Sequence, residues 1–152
     1  YWMSKQRIGL GLIANNEASA EFYIKNELSG PIFNNYDIGS YLTYTLYPKE
    51  KVFVDNRPEA YPAEWFRNIY IPMQENNSVW QEQLTKYDFN VIFFNRLDLT
   101  PWAQQFLGER IKDEEWVPVF VDDQTIIFVR RAAINLPVIY QYGLPKEMFN
   151  VK

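Results

Sequence analysis

The chain has no cysteine and no histidine among its 152 residues. The first absence excludes disulfides, zinc-thiolate sites and a thiol nucleophile, but it does not fix a compartment. The second excludes Ser-His-Asp and Cys-His arrangements and histidine-ligated metals, leaving any catalysis to carboxylates, lysine, tyrosine or a borrowed cofactor. No Gly-x-Gly-x-x-Gly stretch is present, which argues against a dinucleotide. No apolar run approaches the roughly 20 residues that cross a bilayer, and no signal-peptide core is found, so the chain as given reads as soluble. A basic stripe is missing too. With 15 basic and 19 acidic residues the net charge is −4, which excludes nucleic acid as a partner on electrostatic grounds. We expect no cofactor and no bound metal.

What the chain has in excess is aromatic side chains: 11 Tyr, 11 Phe and 5 Trp. Packing accounts for most of them, because each buries a large area. The surplus of Tyr and Trp also suits a carbohydrate-stacking or membrane-facing surface. The opening Tyr1-Trp2-Met3 ahead of Lys5 and Arg7 pairs interfacial aromatics with basic residues. It reads either as a segment just outside a membrane helix or as a chain end without such meaning. The length fits one domain, in which folding removes about 70% of the unfolded surface from water. We divide it into an N-terminal segment (1–15), an α/β domain (16–131) and an irregular tail packed on that domain (132–152), with a short helix at Lys146 to Phe149.

Helical spacing of Ala20, Tyr23, Ile24 and Leu28 predicts a first helix from Asn16 to Leu28, stopped by Gly30 and Pro31. Ile32-Phe33 reads as a first strand, and Asp37 as the cap of a second helix carrying Ile38, Tyr41, Leu42, Thr45 and Leu46. Val52-Phe53-Val54 and Val91 to Phe94 read as buried strands. Between them lie an interrupted helix through Trp65 to Tyr70 and a second helix starting at Ser78, with Gln81 completing a capping box. Thr100-Pro101 opens another helix through Phe106 and Leu107. Trp116 to Val121 and Thr125 to Val129 flank Asp122-Asp123-Gln124 as a hairpin. Three strand–helix alternations followed by a hairpin predict a three-layer α/β sandwich with a mostly parallel sheet of about five strands and an antiparallel hairpin at its edge.

This arrangement gathers polar groups at the carboxyl ends of neighbouring strands, where open α/β sheets hold ligands. The candidate ligand-binding residues are Asn34, Asp37, Asp55, Arg57, Glu59, Tyr61, Asn95, Arg96 and Asp98. Asp37 is either a helix cap or part of an anion site with the amides of Gly39 and Ser40. Arg57 either clamps a carboxylate or phosphate, oriented by Asp55, or simply pairs with Asp55 to tie the loop down. Asp122 and Asp123 read as turn residues, with acid–base or calcium chemistry as the alternative. Asn76-Asn77-Ser78 matches the N-glycosylation pattern, a short and unspecific motif.

Three segments together carry a resemblance. They are Gly30-Pro-Ile-Phe-Asn-Asn-Tyr-Asp-Ile-Gly-Ser-Tyr-Leu42, Lys51-Val-Phe-Val-Asp-Asn-Arg-Pro-Glu-Ala-Tyr61 and Trp116-Val-Pro-Val-Phe-Val-Asp-Asp-Gln-Thr-Ile-Ile-Phe-Val-Arg-Arg131. With them the chain resembles, over residues 16–131, the soluble C-terminal domain of bacterial polytopic membrane proteins related to C-type, dolichyl-phosphate-mannose-protein-mannosyltransferase-like glycosyltransferases. The matching positions are Asn34, Asp37, Gly39, Tyr41 and Leu42, then Asp55, Arg57, Glu59 and Tyr61, then Asp122 and Asp123, none with an assigned catalytic role. Asn56 departs from the Asp-Gly-Arg expected there, which makes the turn less permissive.

The resemblance implies transmembrane helices ahead of Tyr1 as the domain's partner, with a glycan or lipid-linked sugar as a further one. It implies a place on the extracytoplasmic, periplasmic face of a bacterial membrane and a non-catalytic accessory role, the catalytic acid of a parent glycosyltransferase lying in its membrane portion. Two alternatives stand beside it: an independent binder or enzyme for a sugar phosphate or nucleotide sugar, and a protein-interaction module working through the Thr125 to Val129 strand edge or the aromatic surface.

Overall fold

The computed structural model describes residues 17–149. The expected segment 1–15 therefore lies outside the described residues, as does the Asn16 cap. Helix α1 (Glu17–Lys25) is shorter than its periodicity suggests. Ala20 and Tyr23 enter the core, whereas Ile24 is 53% exposed. The chain then turns through Glu27 at φ 53°, a left-handed conformation that ends the helix before Leu28.

Strand β1 (Ile32–Asn34) leads through a tight 3₁₀ turn, Tyr36–Ile38, into α2 (Gly39–Leu46). Asp37 sits inside that turn and caps nothing; the residue preceding the turn is Asn35, whose side chain is engaged elsewhere. Gly39 is required by packing. A Cβ there would collide with the Val54 carbonyl and lie 2.5 Å from Asp55 Cα, so the absent side chain lets the 52–55 segment lie against the start of α2.

The expected strand at Val52-Phe53-Val54 is not formed. This segment lies beside β1 with a bend at Phe53, and the Asn34 side chain occupies the place of a ladder. Its Oδ1 accepts from the Phe53 amide at 2.8 Å and the Val54 amide at 3.4 Å, and its Nδ2 donates to the Val54 carbonyl at 2.7 Å. A side-chain amide matches the peptide's donor and acceptor, so the segment is satisfied without becoming a fifth strand.

Short helix α3 (Ala63–Trp65) widens into a π turn over Phe66–Tyr70 and continues as α4 (Pro72–Glu75). Helix α5 (Asn77–Tyr87) is capped by Asn76, whose side chain accepts from the Ser78 amide at 2.9 Å, so the cap lies two residues before the expected Ser78. Strand β2 (Val91–Asn95), helix α6 (Pro101–Lys112) and the hairpin β3 (Trp116–Val121) and β4 (Thr125–Arg130) follow the periodicity closely. The tail is more ordered than expected. It forms a 3₁₀ turn at Ala133–Asn135, α7 (Leu136–Tyr142), in which Pro137 stands in the first turn where no amide is needed, and a second 3₁₀ turn at Lys146–Met148.

The four strands lie in the order β1-β2-β4-β3. Only β1 and β2 are parallel, with Ile32 opposite Val91; β4 is antiparallel to both β2 and β3. The mostly parallel, five-stranded sheet is thus corrected to a mixed, four-stranded one. The hairpin does form one edge through β3, but β4 is an interior strand, so Thr125 to Val129 offers no free edge. On β3, Pro118 turns its carbonyl outward to accept from the Leu144 amide at 2.8 Å, and its missing N–H is harmless on an edge strand.

Alternation along the strands sends side chains to two apolar clusters. Val91, Phe93, Ile127 and Val129 meet α1, α2 and α7 on one face. Ile92, Phe94, Ile126 and Phe128 meet the α4–α6 face on the other, where Trp80, Phe89, Phe106 and Trp116 are also buried. Helices therefore cover both faces. A register shift between Pro118 and Phe120 places consecutive Val119 and Phe120 on the same side of β3, as a β-bulge does.

Candidate functional site

At the carboxyl ends of β1 and β2 two asparagines lock the strands together. Asn35 Nδ2 donates to the Asn95 carbonyl and to Asp98 Oδ2, both at 3.0 Å, while its Oδ1 accepts from the Asn95 amide at 2.9 Å. Asn95 Oδ1 accepts from the Leu97 amide. Asp98 Oδ1 accepts from the Thr100 amide at 3.0 Å and hydroxyl at 2.8 Å, so the aspartate, not the threonine, organises the entry to α6. Asn34, Asn35, Asn95 and Asp98 are all buried. Three expected site residues, Asn34, Asn95 and Asp98, thus build the rim, and Asn35 does so with them.

Beside this lattice opens a cleft of about 250 Å³ between the 3₁₀ turn, the π turn and the start of α6. Phe66, Tyr70 and Trp102 supply its aromatic walls, and Asp37, Asp98 and Thr100 its polar ones. Tyr36 completes it, its ring meeting Phe66 edge-on at 5.8 Å. The Tyr70 hydroxyl accepts from the Tyr36 amide at 2.9 Å, tying the two turns together. Burial, followed by repulsion from Asp98, raises the Asp37 carboxyl above the ordinary aspartate range.

Asp55 and Arg57 form a separate unit. Arg57 Nε lies 3.0 Å from both Asp55 oxygens and Nη2 lies 2.7 Å from Oδ2, and Asp55 Oδ1 also accepts from the Arg57 amide. The Arg57 hydrogen bonds outweigh burial and hold the Asp55 carboxyl below its ordinary value. Because its folded value is lowered, Asp55 contributes its stability in full above the ordinary aspartate range and loses it as pH falls through the lowered value. Asp37 has the opposite sign: its contribution is full below the ordinary range and is lost as pH rises through the raised value. Carboxyl carbon NMR titration should therefore find Asp55 titrating well below Asp37, and Arg57→Ala should lift Asp55 alone. Equal midpoints in the unmodified chain would contradict this assignment.

Asp55 and Arg57 line an open depression with Tyr44 and Tyr47, apart from the aromatic cleft. Tyr61 packs on Trp65 at 5.1 Å and Phe66 at 5.9 Å, and Glu59 is exposed in the 3₁₀ turn Pro58–Ala60. Arg96 Nη1 donates to the Asp122 carbonyl at 2.7 Å. Asp122 Oδ1 accepts from Gln124 and Thr125, the role of a turn residue. Of the nine expected residues, the cleft brings together only Asp37 and Asp98. Sequence reading missed Tyr36, Phe66, Tyr70, Thr100 and Trp102, and its one usable signal was the aromatic surplus.

Among the described residues there is no cluster of three metal-ligating side chains, and no helix is long and apolar enough to cross a membrane. Comparison with family models, with curated proteins and with solved structures finds no match to the chain.

Proposed function

We propose that the chain is an extracytoplasmic accessory domain of a membrane glycosyltransferase-like protein, and that its rim cleft holds a neutral sugar of an acceptor or lipid-linked glycan. The supporting observation is the pairing of Phe66, Tyr70 and Trp102 with the carboxylates of Asp37 and Asp98 in one cleft. Rings accept the apolar C–H face of a sugar, and carboxylates accept from its hydroxyls. Among the described residues no cation lines the cleft. Arg57 is taken up by Asp55 and Arg96 by the hairpin carbonyl, so a sugar phosphate or nucleotide sugar would bring its charge to two carboxylates with nothing to neutralise it.

The binding reading is tested by titrating ¹⁵N-labelled protein with neutral monosaccharides and with their phosphates while following the Trp102 indole. Neutral sugars should give a saturable shift that Trp102→Ala removes. A ligand at 100 times its dissociation constant should also add about 2.7 kcal/mol of stability. Preference for the phosphates, or no shift with any sugar, would overturn it. The membrane reading is tested separately by the coding sequence ahead of Tyr1, where several membrane-spanning helices are expected; their absence from the gene would end it.

A further inference from the structure

The rim cleft carries a charge that nothing in it balances. Asp37, in the 3₁₀ turn, and Asp98, ahead of α6, both line it, and among the described residues no Lys or Arg does. The two carboxylates are held differently. Asp98 is buried and accepts three hydrogen bonds, from Asn35 Nδ2 and from the Thr100 amide and hydroxyl, so most of its lone pairs are spent. Asp37 is more open. Partial burial and then repulsion from Asp98 raise its carboxyl, and neither a hydrogen-bond donor nor a cation works against them.

The rest of the wall is largely aromatic. Tyr36, Phe66, Tyr70 and Trp102 line the cleft. The first three form an edge-on chain, Tyr36 to Phe66 at 5.8 Å and Phe66 to Tyr70 at 5.5 Å, and the Tyr70 hydroxyl accepts from the Tyr36 amide. This wall is therefore built before any ligand arrives. Aromatic rings attract an ammonium group, more so where water is partly excluded, and a carboxylate beside them adds a direct ion pair. Four rings and two carboxylates without a counter-charge make the complement of a cation with an apolar body.

We propose that the cleft selects amino sugars whose amine is unacylated, with the ammonium group on the Asp37 carboxylate and the sugar ring against the aromatic wall. The inference rests on the sugar reading of this cleft and goes beyond the neutral ring: a neutral sugar uses the rings and the hydroxyl acceptors, whereas an amino sugar also cancels carboxylate charge. The cleft volume of about 250 Å³ lies below that of drug-sized pockets and suits a single ring. The net charge of −4 attracts a cation from a distance in the same sense.

The test titrates ¹⁵N-labelled protein with glucose, N-acetylglucosamine, glucosamine and methylammonium while the Trp102 indole is followed, at a pH between the titrations of Asp37 and of the sugar's amine. Glucosamine should bind about tenfold tighter than glucose or N-acetylglucosamine, an advantage that shrinks as salt is added, and methylammonium should bind more weakly than glucosamine. Saturating glucosamine should lower the midpoint of the Asp37 carboxyl, and glucose should not. Asp37→Asn keeps an acceptor oxygen without the charge, so in that variant glucose and glucosamine should bind within about twofold of each other. Equal affinity for glucose and glucosamine in the unmodified chain would overturn the proposal and leave the sugar reading standing. Glucosamine binding without glucose binding would uphold the ammonium seat and remove the neutral sugar. No shift with any sugar would end both. Methylammonium binding as tightly as glucosamine, or an advantage that survives Asp37→Asn in full, would also overturn the proposal.

Discussion

Replacing Asn34 with leucine should cost about 3 kcal/mol or more, because the change removes the side-chain bonds to three backbone groups of the 53–54 segment. Asn34 is fully buried and its amide reads the Phe53 and Val54 peptides as a neighbouring strand would. Leucine has similar bulk but offers neither donor nor acceptor, so the Val54 carbonyl and Phe53 amide must find water or remain unpaired. Denaturant unfolding measures the loss. Hydrogen exchange locates it: the Phe53 and Val54 amides should lose protection beyond the global change, along with the Asp55–Arg57 unit that follows them. A cost under about 1 kcal/mol, the net value of one ordinary hydrogen bond, would mean that the segment is held by something other than this side chain.

Phe33→Ala should be at least as damaging, at about 4 kcal/mol. The ring is fully buried, and its centroid lies 5.2 to 5.4 Å from those of Phe53, Trp80, Phe89, Phe94 and Phe106. Its neighbours come from α5, β2 and α6, from the loop that carries Phe89 and from the 52–54 segment, so no single movement refills the space. Thermal unfolding should show the fall, and Tyr44→Ala, on a side chain 76% exposed, provides the control with little change expected. Equal effects of the two substitutions would contradict the assignment of Phe33 to the centre of the aromatic cluster.

The hairpin and β2 were legible because continuous apolar runs bounded by turn residues have few other uses. Asp122 served its turn as that reading anticipated, and Arg57 pairs with Asp55, a contact that both readings of Arg57 share. The 52–54 segment has the same apolar signature as β2, yet its ladder partner is a side chain, and no pattern of hydrophobicity reports where a single buried asparagine points. Parallel pairing was over-extended for a related reason. Alternating strands and helices predict crossovers only between strands that exist, and of the three strands expected before the hairpin only β1 and β2 do. Helix α7 was hidden by Pro137 and Gly143, residues that ordinarily break helices, although here the proline stands in the first turn and the glycine after the last.

The candidate site was legible as a place more than as a set of groups. Strand-end polarity located the rim, but Asn34 spends its hydrogen bonds on the Phe53 and Val54 peptides, Asn95 accepts from the Leu97 amide, Asp98 accepts from Asn35 and Thr100, Arg57 pairs with Asp55 and Arg96 donates to the Asp122 carbonyl. What opens to solvent between them is largely aromatic. Phe66, Tyr70 and Trp102 come from elements whose helical spacing is indistinguishable from that of core residues, and only the crossing of the π turn with the start of α6 turns them toward a common space.

Both margins of the sheet are interrupted, one by the Asn34-held segment and the other by Pro118, the bulge and the chain leaving α7. Fibrillar growth needs a run of open peptide groups onto which an identical copy can stack, and neither margin supplies one. A domain this rich in Phe, Tyr and β-branched residues is protected from amyloid assembly for as long as those margins stay interrupted, so loosening the Asn34 clasp should show itself in storage as fibrils before it shows as unfolded chain.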